Sequence, residues 1–241
     1  MAIKSIIYKD TKLDLAYTIL NKDKKKDLIF LHGWGANKEL MQKAFSTKLG
    51  DFRHIYLDLS GFGKSTNLLV LDTYAYAKIT ELFLEELKIS PKKCTILGHS
   101  FGGKIAVLLN PKNLILLSSA GILEPKSCKV KAKIMFVKVF KILGLTSFTR
   151  LFRSNDVAKM SENMYNTFKL VVNEDFSLHF KEFLGRALIF WGKDDTATSL
   201  KSGEKISKLI ANSKFTAYEG GHFFFLEQAS KIEKVIKDDL L

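Results

Sequence analysis

The sequence predicts an α/β fold: a mostly parallel sheet, eight strands in all, with helices on both faces and a helical insert. Three observations carry that expectation. Apolar runs of strand length alternate with stretches of helical periodicity along most of the 241 residues, the pattern of strands joined by helical crossovers. One run, residues 94–97, meets Gly98-His99-Ser100-Phe101-Gly102, a glycine-framed turn from strand to helix. Residues 122–186 hold no strand-like run, and the strand pattern resumes after them.

Taken in order, residues 3–8 and 13–20 alternate in part and carry β-branched and aromatic side chains, so they read as strands. A charged turn at 22–27 follows. Residues 27–31 form a continuous apolar run, as expected of a strand buried on both faces. It ends in His32-Gly33-Trp34-Gly35, and a helix is expected over 38–49. Residues 53–57 are the next strand and lead into the Gly/Ser loop that starts at Asp58. A helix over 73–87, capped by Asp72 or Thr73, places Ala75, Ile79, Leu82, Phe83 and Leu87 on one face and Glu81, Glu85 and Glu86 on the other. Residues 93–97 enter the turn at Ser100, and a helix-like stretch covers 104–110. Residues 113–117 are a further strand. Residues 122–186 read as helical, rich in Phe and Lys, and are expected to form a lid inserted into a core made of 1–121 and 187–241. Strands at 187–191 and 214–218 alternate with helices at 201–210 and 225–240.

Composition excludes several function classes. The formal charge is +13, but Lys supplies all but four of the 38 basic residues. Base-edge and bidentate phosphate readers lean on Arg, so nucleic acid is not expected as a partner. Two cysteines, Cys94 and Cys128, make neither a disulfide framework nor a metal motif. Cys94 reads as a small apolar strand residue. No dinucleotide fingerprint or metal-ligand cluster is visible, so no cofactor is expected. No apolar run reaches the ~18–20 residues of a membrane helix, and Met1-Ala2-Ile3-Lys4-Ser5 has no apolar core or small-residue cleavage site, so no leader is expected. A cytoplasmic protein is expected.

The chemistry gathers at three strand ends. A sharp turn from strand to helix lifts Ser100 out with its hydroxyl exposed, while Gly98 and Gly102 lie where a Cβ would clash. Serine needs a base to take its proton, and the base needs an acid to hold its tautomer. His222 follows the last strand in a Gly-Gly-His turn. Asp194 and Asp195 follow the strand before it, and Asp195 is expected to be the acid. The backbone N–H of Phe101, at a helix start, and that of Trp34, after the third strand, would hold an oxyanion. The Trp34 side chain also suits a pocket wall.

Leu31-His-Gly-Trp-Gly35, Asp58-Leu-Ser-Gly-Phe-Gly63, Gly98-His-Ser-Phe-Gly-Gly103, Trp191-Gly-Lys-Asp-Asp195 and Gly220-Gly-His222 resemble, in order and spacing, the motifs of the α/β-hydrolase superfamily. The likeness is to its small lidded serine esterases and carbon–carbon bond hydrolases, and it covers nearly the whole chain. It implies a nucleophile elbow at Ser100, the triad Ser100, Asp195 and His222, and a structural role for Asp58. Counted from Gly192, the family pattern puts the acid at Asp195. Two positions where the family often has proline hold Arg186 and Ser199 instead.

The expected activity is cleavage of a carboxylic ester through an acyl-enzyme on Ser100. The alternatives are cleavage of a C–C bond in a dienoate ring-fission product, against which His99 counts because that group commonly has Asn there, and a non-catalytic receptor on the same fold. The His-Gly-Trp-Gly form resembles the methyl ester esterases that act on pimeloyl-carrier protein, which suggests an acidic acyl carrier protein as a partner. Residues 122–186 carry twelve basic against six acidic side chains, although a chain-wide Lys bias explains that better than carrier docking does. Phe136, Phe140, Phe148 and Phe152 recur at four-residue spacing and are expected to line an acyl pocket.

Overall fold

The computed structural model describes residues 1–124 and 160–241. Phe136, Phe140, Phe148 and Phe152 lie outside the described residues.

Eight strands form one sheet in the order β1-β2-β4-β3-β5-β6-β7-β8. Strands β1 (Ala2–Tyr8) and β2 (Thr11–Leu20) make an antiparallel hairpin. Its two-residue turn puts Lys9 at φ 47° and Asp10 at φ 60°, the left-handed pair that matches strand twist in tight hairpins. Strand β2 pairs antiparallel with β4 (Phe52–Leu57). From β4 onward all neighbours are parallel: β3 (Lys26–Leu31), β5 (Thr95–His99), β6 (Asn113–Leu117), β7 (Arg186–Gly192) and β8 (Ser213–Tyr218).

The continuous apolar runs are explained by burial on both faces. In β3, Ile29 and Leu31 enter one core, and Leu28 and Phe30 enter the other. Strands β6 and β7 divide the same way: Leu114, Leu116, Ile189 and Trp191 on one side, Ile115, Leu117, Leu188 and Phe190 on the other. The first core is closed by α2 (Thr73–Glu86), α3 (Phe101–Leu108) and α6 (Leu200–Leu209) through side chains such as Tyr76, Phe83, Ile105 and Ile206. The second is closed by α1 (Lys38–Phe45) and α7 (Phe225–Leu240) through Met41, Phe45, Ile232 and Ile236. Within the expected insert, the described residues form α4 (Glu162–Val171) and α5 (Ser177–Glu182). Phe176, Phe180 and Phe183 are buried in the first core.

Two helix boundaries differ from the sequence expectation, each for a local reason. Helix α1 stops at Phe45 rather than continuing to 49. Leu49 is buried but sits at φ 52° in the turn into β4, with its N–H donated to Glu233 Oε1 at 2.7 Å. Its apolar side chain mimics a further helical turn. Helix α3 starts at Phe101 rather than near 104. Gly102 and Gly103 are in its first turn because the backbone there must approach its neighbours closely. Asp72, not Thr73, caps α2, accepting the N–H of Ala75 at 2.7 Å.

The sheet order reverses between β4 and β5, which flank β3 on opposite sides. The carboxyl ends of β3 and β5 therefore open at the switch point where α/β sheets place ligands. Among the described residues no helix is long and apolar enough to cross a membrane.

Candidate active site

Ser100 caps α3 directly after β5, with φ 50° and ψ −114°. A non-glycine residue in that region is strained, and the surroundings must hold it there. They do so through backbone bonds: Ser100 N–H donates to Leu117 O at 3.1 Å, and Ser100 O accepts from Gly103 at 3.0 Å and Ala120 at 3.0 Å. The glycines are required by close approach. A Cβ on Gly98 would collide with the backbone of Gly102 and Gly103, and one on Gly102 with the carbonyls of Leu31 and His32. The elbow is thus wedged against the end of β3. Phe101 is the first residue of α3, so its N–H has no carbonyl a turn earlier to bind.

The loop after β3 lies against the elbow. A Cβ on Gly33 would be 2.9 Å from His99 Nδ1 and 3.1 Å from Ser100 Cβ. His32 pins this loop. Its Nδ1–H donates to Gly33 O at 2.8 Å, and its Nε2 accepts the N–H of Leu59 at 3.0 Å. Burial pushes its pKa down to about 4, so it stays neutral. Asp58 is fully buried and structural. It takes Lys38 Nζ at 2.7 Å, Lys38 N–H at 2.7 Å and Lys64 N–H at 3.1 Å, which ties the β4 exit to the start of α1.

The acid and base loops are zipped together. Lys193 N–H donates to Tyr218 O at 2.8 Å and Asp194 N–H to Gly220 O at 3.0 Å. Asp195 turns inward with its carboxylate wholly buried, and Asp194 is exposed. Asp195 Oδ2 accepts His222 Nδ1–H at 2.8 Å and lies 3.0 Å from Thr198 Oγ1; Oδ1 accepts the N–H groups of Ala197 at 2.8 Å and Thr198 at 2.9 Å. Burial opposes ionisation, but the bonds from His222, Thr198 and Ser118 win and hold the carboxyl down at about 2. Trp191, fully buried, donates its indole N–H to Thr198 O at 2.9 Å and fixes that loop. Ser199, one of the two positions where the family often has proline, caps α6 by accepting Ser202 N–H.

His222 packs against His99, the residue before Ser100. The His99 and His222 rings are 4.6 Å apart, and His99 Nε2–H donates to the His222 carbonyl at 3.1 Å. His99 is buried and its pKa falls to about 3, from burial first and then from its neighbour His222. It is therefore a neutral spacer between the residue after it, Ser100, and the imidazole. The structure brings Asp195 and His222 into contact. A hydrogen bond from Ser100 Oγ to His222 is not among those the described residues make.

Ser100 opens into a cavity of about 430 Å³ lined by Trp34, Phe101, Ile122, Phe168, Val171 and Thr198, with Lys104, Glu124 and Glu174 also in its lining. Sequence reasoning placed Trp34 here but missed Phe168, Thr198 and Lys104. Thr198 lies three residues after the acid, a spacing that only the loop geometry makes meaningful. Phe168 recurs with no pattern that separates it from the core phenylalanines. Among the described residues no group of three or more His, Cys, Asp or Glu side chains could hold a metal ion. Burial pushes the Cys94 thiol up to about 12, as suits an inert packing residue.

Comparison with known proteins points to the same fold. A family model described as "alpha/beta hydrolase fold" matches residues 27–120. The chain is 28% identical over 204 residues to the pimeloyl-[acyl-carrier protein] methyl ester esterase of Wigglesworthia glossinidia brevipalpis, a match covering 80% of this chain and 70% of that protein. It is 36% identical to the enzyme of the same name from Edwardsiella ictaluri over 83 residues, 34% of this chain and only 30% of the relative. Among solved structures it superposes on an esterase from Exiguobacterium antarcticum with a TM-score of 0.73 at 22% identity, covering 94% of this chain and 95% of that one. A thermophilic esterase from Thermogutta terrifontis gives 0.74 at 17% identity, covering 99% and 97%.

Proposed function

We propose that this chain, an α/β-hydrolase-fold protein, is a serine hydrolase that cleaves carboxylic esters through an acyl-enzyme on Ser100. The observation that carries the reading is the strained Ser100, at φ 50° between β5 and α3, set one residue from a histidine packed on the Asp195-bonded His222. Ser100 at ψ −114° lies outside the left-handed helical region that ordinary turns use, and strain of that kind clusters at functional positions.

The steps follow from the groups in place. Asp195 accepts a hydrogen bond from His222 Nδ1–H and keeps the proton on that nitrogen, which leaves Nε2 as the basic nitrogen. His222 takes the Ser100 proton as Oγ attacks the ester carbonyl. The carbonyl oxygen becomes an oxyanion, to which the backbone N–H groups of Phe101 and Trp34 donate. The intermediate collapses, His222 protonates the leaving alcohol, and the acyl group stays on Ser100. Water, deprotonated by His222, then attacks the acyl-enzyme, and a carboxylic acid leaves. Residues 122–186 serve as the lid in this reading.

The substrate proposed is a small ester whose acyl chain enters the apolar cavity beside Ser100. The relatives' name adds a more specific possibility for the natural substrate: a methyl ester carried on an acyl carrier protein. The charge of +13 suits an acidic carrier. Turnover of p-nitrophenyl esters tests the reading, with a dienoate ring-fission product alongside. Ester turnover that disappears in Ser100→Ala is expected. Turnover of the ring-fission product alone would assign the site to C–C cleavage, and turnover of neither would leave a receptor.

A further inference from the structure

Lys104 is an unusual side chain to find in the wall of an apolar cavity. It lies four residues after Ser100, in the helix α3 that Ser100 caps. Its side chain is 3% exposed. Its ammonium donates to Val171 O at 2.7 Å and to Glu174 Oε2 at 2.5 Å, and sits 4.6 Å from the centre of the Phe176 ring. Val171 is the last residue of α4, so Lys104 also satisfies a carbonyl at that helix's end. Glu174 in turn accepts the N–H of Thr73 at 3.3 Å and the Thr73 hydroxyl. Lys104 and Glu174 both line the cavity that holds Ser100.

We infer that the Lys104–Glu174 pair is the end stop of the acyl cavity and sets the longest acyl chain the site accepts. The inference rests on the ester-hydrolase reading. A chain attached at Ser100 enters a cavity that Phe101, Ile122 and Phe168 line, against which each buried methylene is favourable. About one helical turn along α3 it meets the ion pair. Methylenes pressed onto that pair offer no hydrogen bond and strip the remaining water from Glu174, whose side chain is 20% exposed. Gain per methylene therefore stops at the pair and reverses beyond it.

The test replaces both partners, because a single substitution strands a buried charge while an apolar pair of similar size is tolerated. Wild type and Lys104→Met/Glu174→Met are compared on p-nitrophenyl butanoate, hexanoate, octanoate and decanoate. The readout is the ratio of kcat/KM for decanoate over butanoate within each protein, which is independent of absolute rate. The ratio is expected to rise at least about tenfold in the double variant, the size of a few newly accepted methylenes. A ratio within twofold of wild type in a folded double variant overturns the inference. A second measurement needs neither the variant nor turnover: thermal stabilisation of wild type by neutral primary alcohols from butanol to decanol. Stabilisation that grows and then breaks with length supports the end stop, even if no ester is hydrolysed and the ester reading itself fails. Stabilisation rising without a break to decanol, or none at any length, overturns it.

Discussion

Replacing Asp195 by Asn alters one atom and two properties of the site. The carboxylate accepts from His222 Nδ1 at 2.8 Å and from two loop N–H groups at 2.8 and 2.9 Å. An asparagine that keeps its oxygen on the loop N–H groups presents its NH2 to His222. The imidazole must then carry its proton on Nε2 and accept at Nδ1, the wrong tautomer for a base. The expected loss in kcat is about 10³–10⁴-fold. Stability changes as well. The folded carboxyl is held at about 2 against an ordinary 3.8, which at 1.36 kcal/mol per unit amounts to about 2 kcal/mol. Because the folded pKa is depressed, that contribution is complete above pH ~4 and is lost as pH falls towards ~2. Urea unfolding of both proteins at pH 7, 5, 4 and 3, with steady-state kinetics at pH 7, measures both effects. The gap in unfolding free energy should be constant down to about pH 5 and narrow below 4. A variant within tenfold of wild-type kcat, or a gap unchanged from pH 7 to 3, would refute this reading of the Asp195–His222 pair.

Two further outcomes follow from buried groups near the site. Lys38→Met leaves the fully buried Asp58 carboxylate without its cation and should cost about 3–5 kcal/mol in urea unfolding, most of it recovered in Lys38→Met/Asp58→Asn; a loss under 1 kcal/mol in the single variant would contradict the pairing. His99→Phe keeps the ring packing on His222 but removes the N–H given to its carbonyl, so kcat should fall about tenfold with KM little changed, and His99→Gln, which retains an N–H at that reach, should recover much of it. Equal rates in the two His99 variants would show that the carbonyl bond does not position the base.

Much of the architecture is legible in the sequence because the parallel strands are buried on both faces. Residues 28–31 and 114–117 are unbroken apolar runs, and no other element class needs that pattern at that length. The elbow is legible for a different reason: Gly98 and Gly102 are forced by backbone contact, so the motif records a steric constraint. What escaped was everything decided by loop closure. Leu49 reads as helix because its side chain is apolar, yet its positive φ belongs to a turn. Lys104 reads as one more solvated lysine in a lysine-rich chain, yet it is buried, because its partners Val171 and Glu174 come from about 70 residues away. Thr198 and Trp191 hold the acid only once β7 has placed their loop. The expected pocket phenylalanines at 136, 140, 148 and 152 lie outside the described residues, whereas Phe168, with no distinguishing spacing, lines the cavity.

The covalent step itself is open to direct observation. The protein is incubated with a fluorophosphonate probe, its intact mass is recorded, and the modified peptide is mapped. One adduct per chain on Ser100 is expected, absent from Ser100→Ala and forming much more slowly in His222→Ala, where no base takes the serine proton. An adduct that persists in Ser100→Ala, maps to another residue, or forms at the wild-type rate without His222 would contradict a nucleophile at the strained turn between β5 and α3.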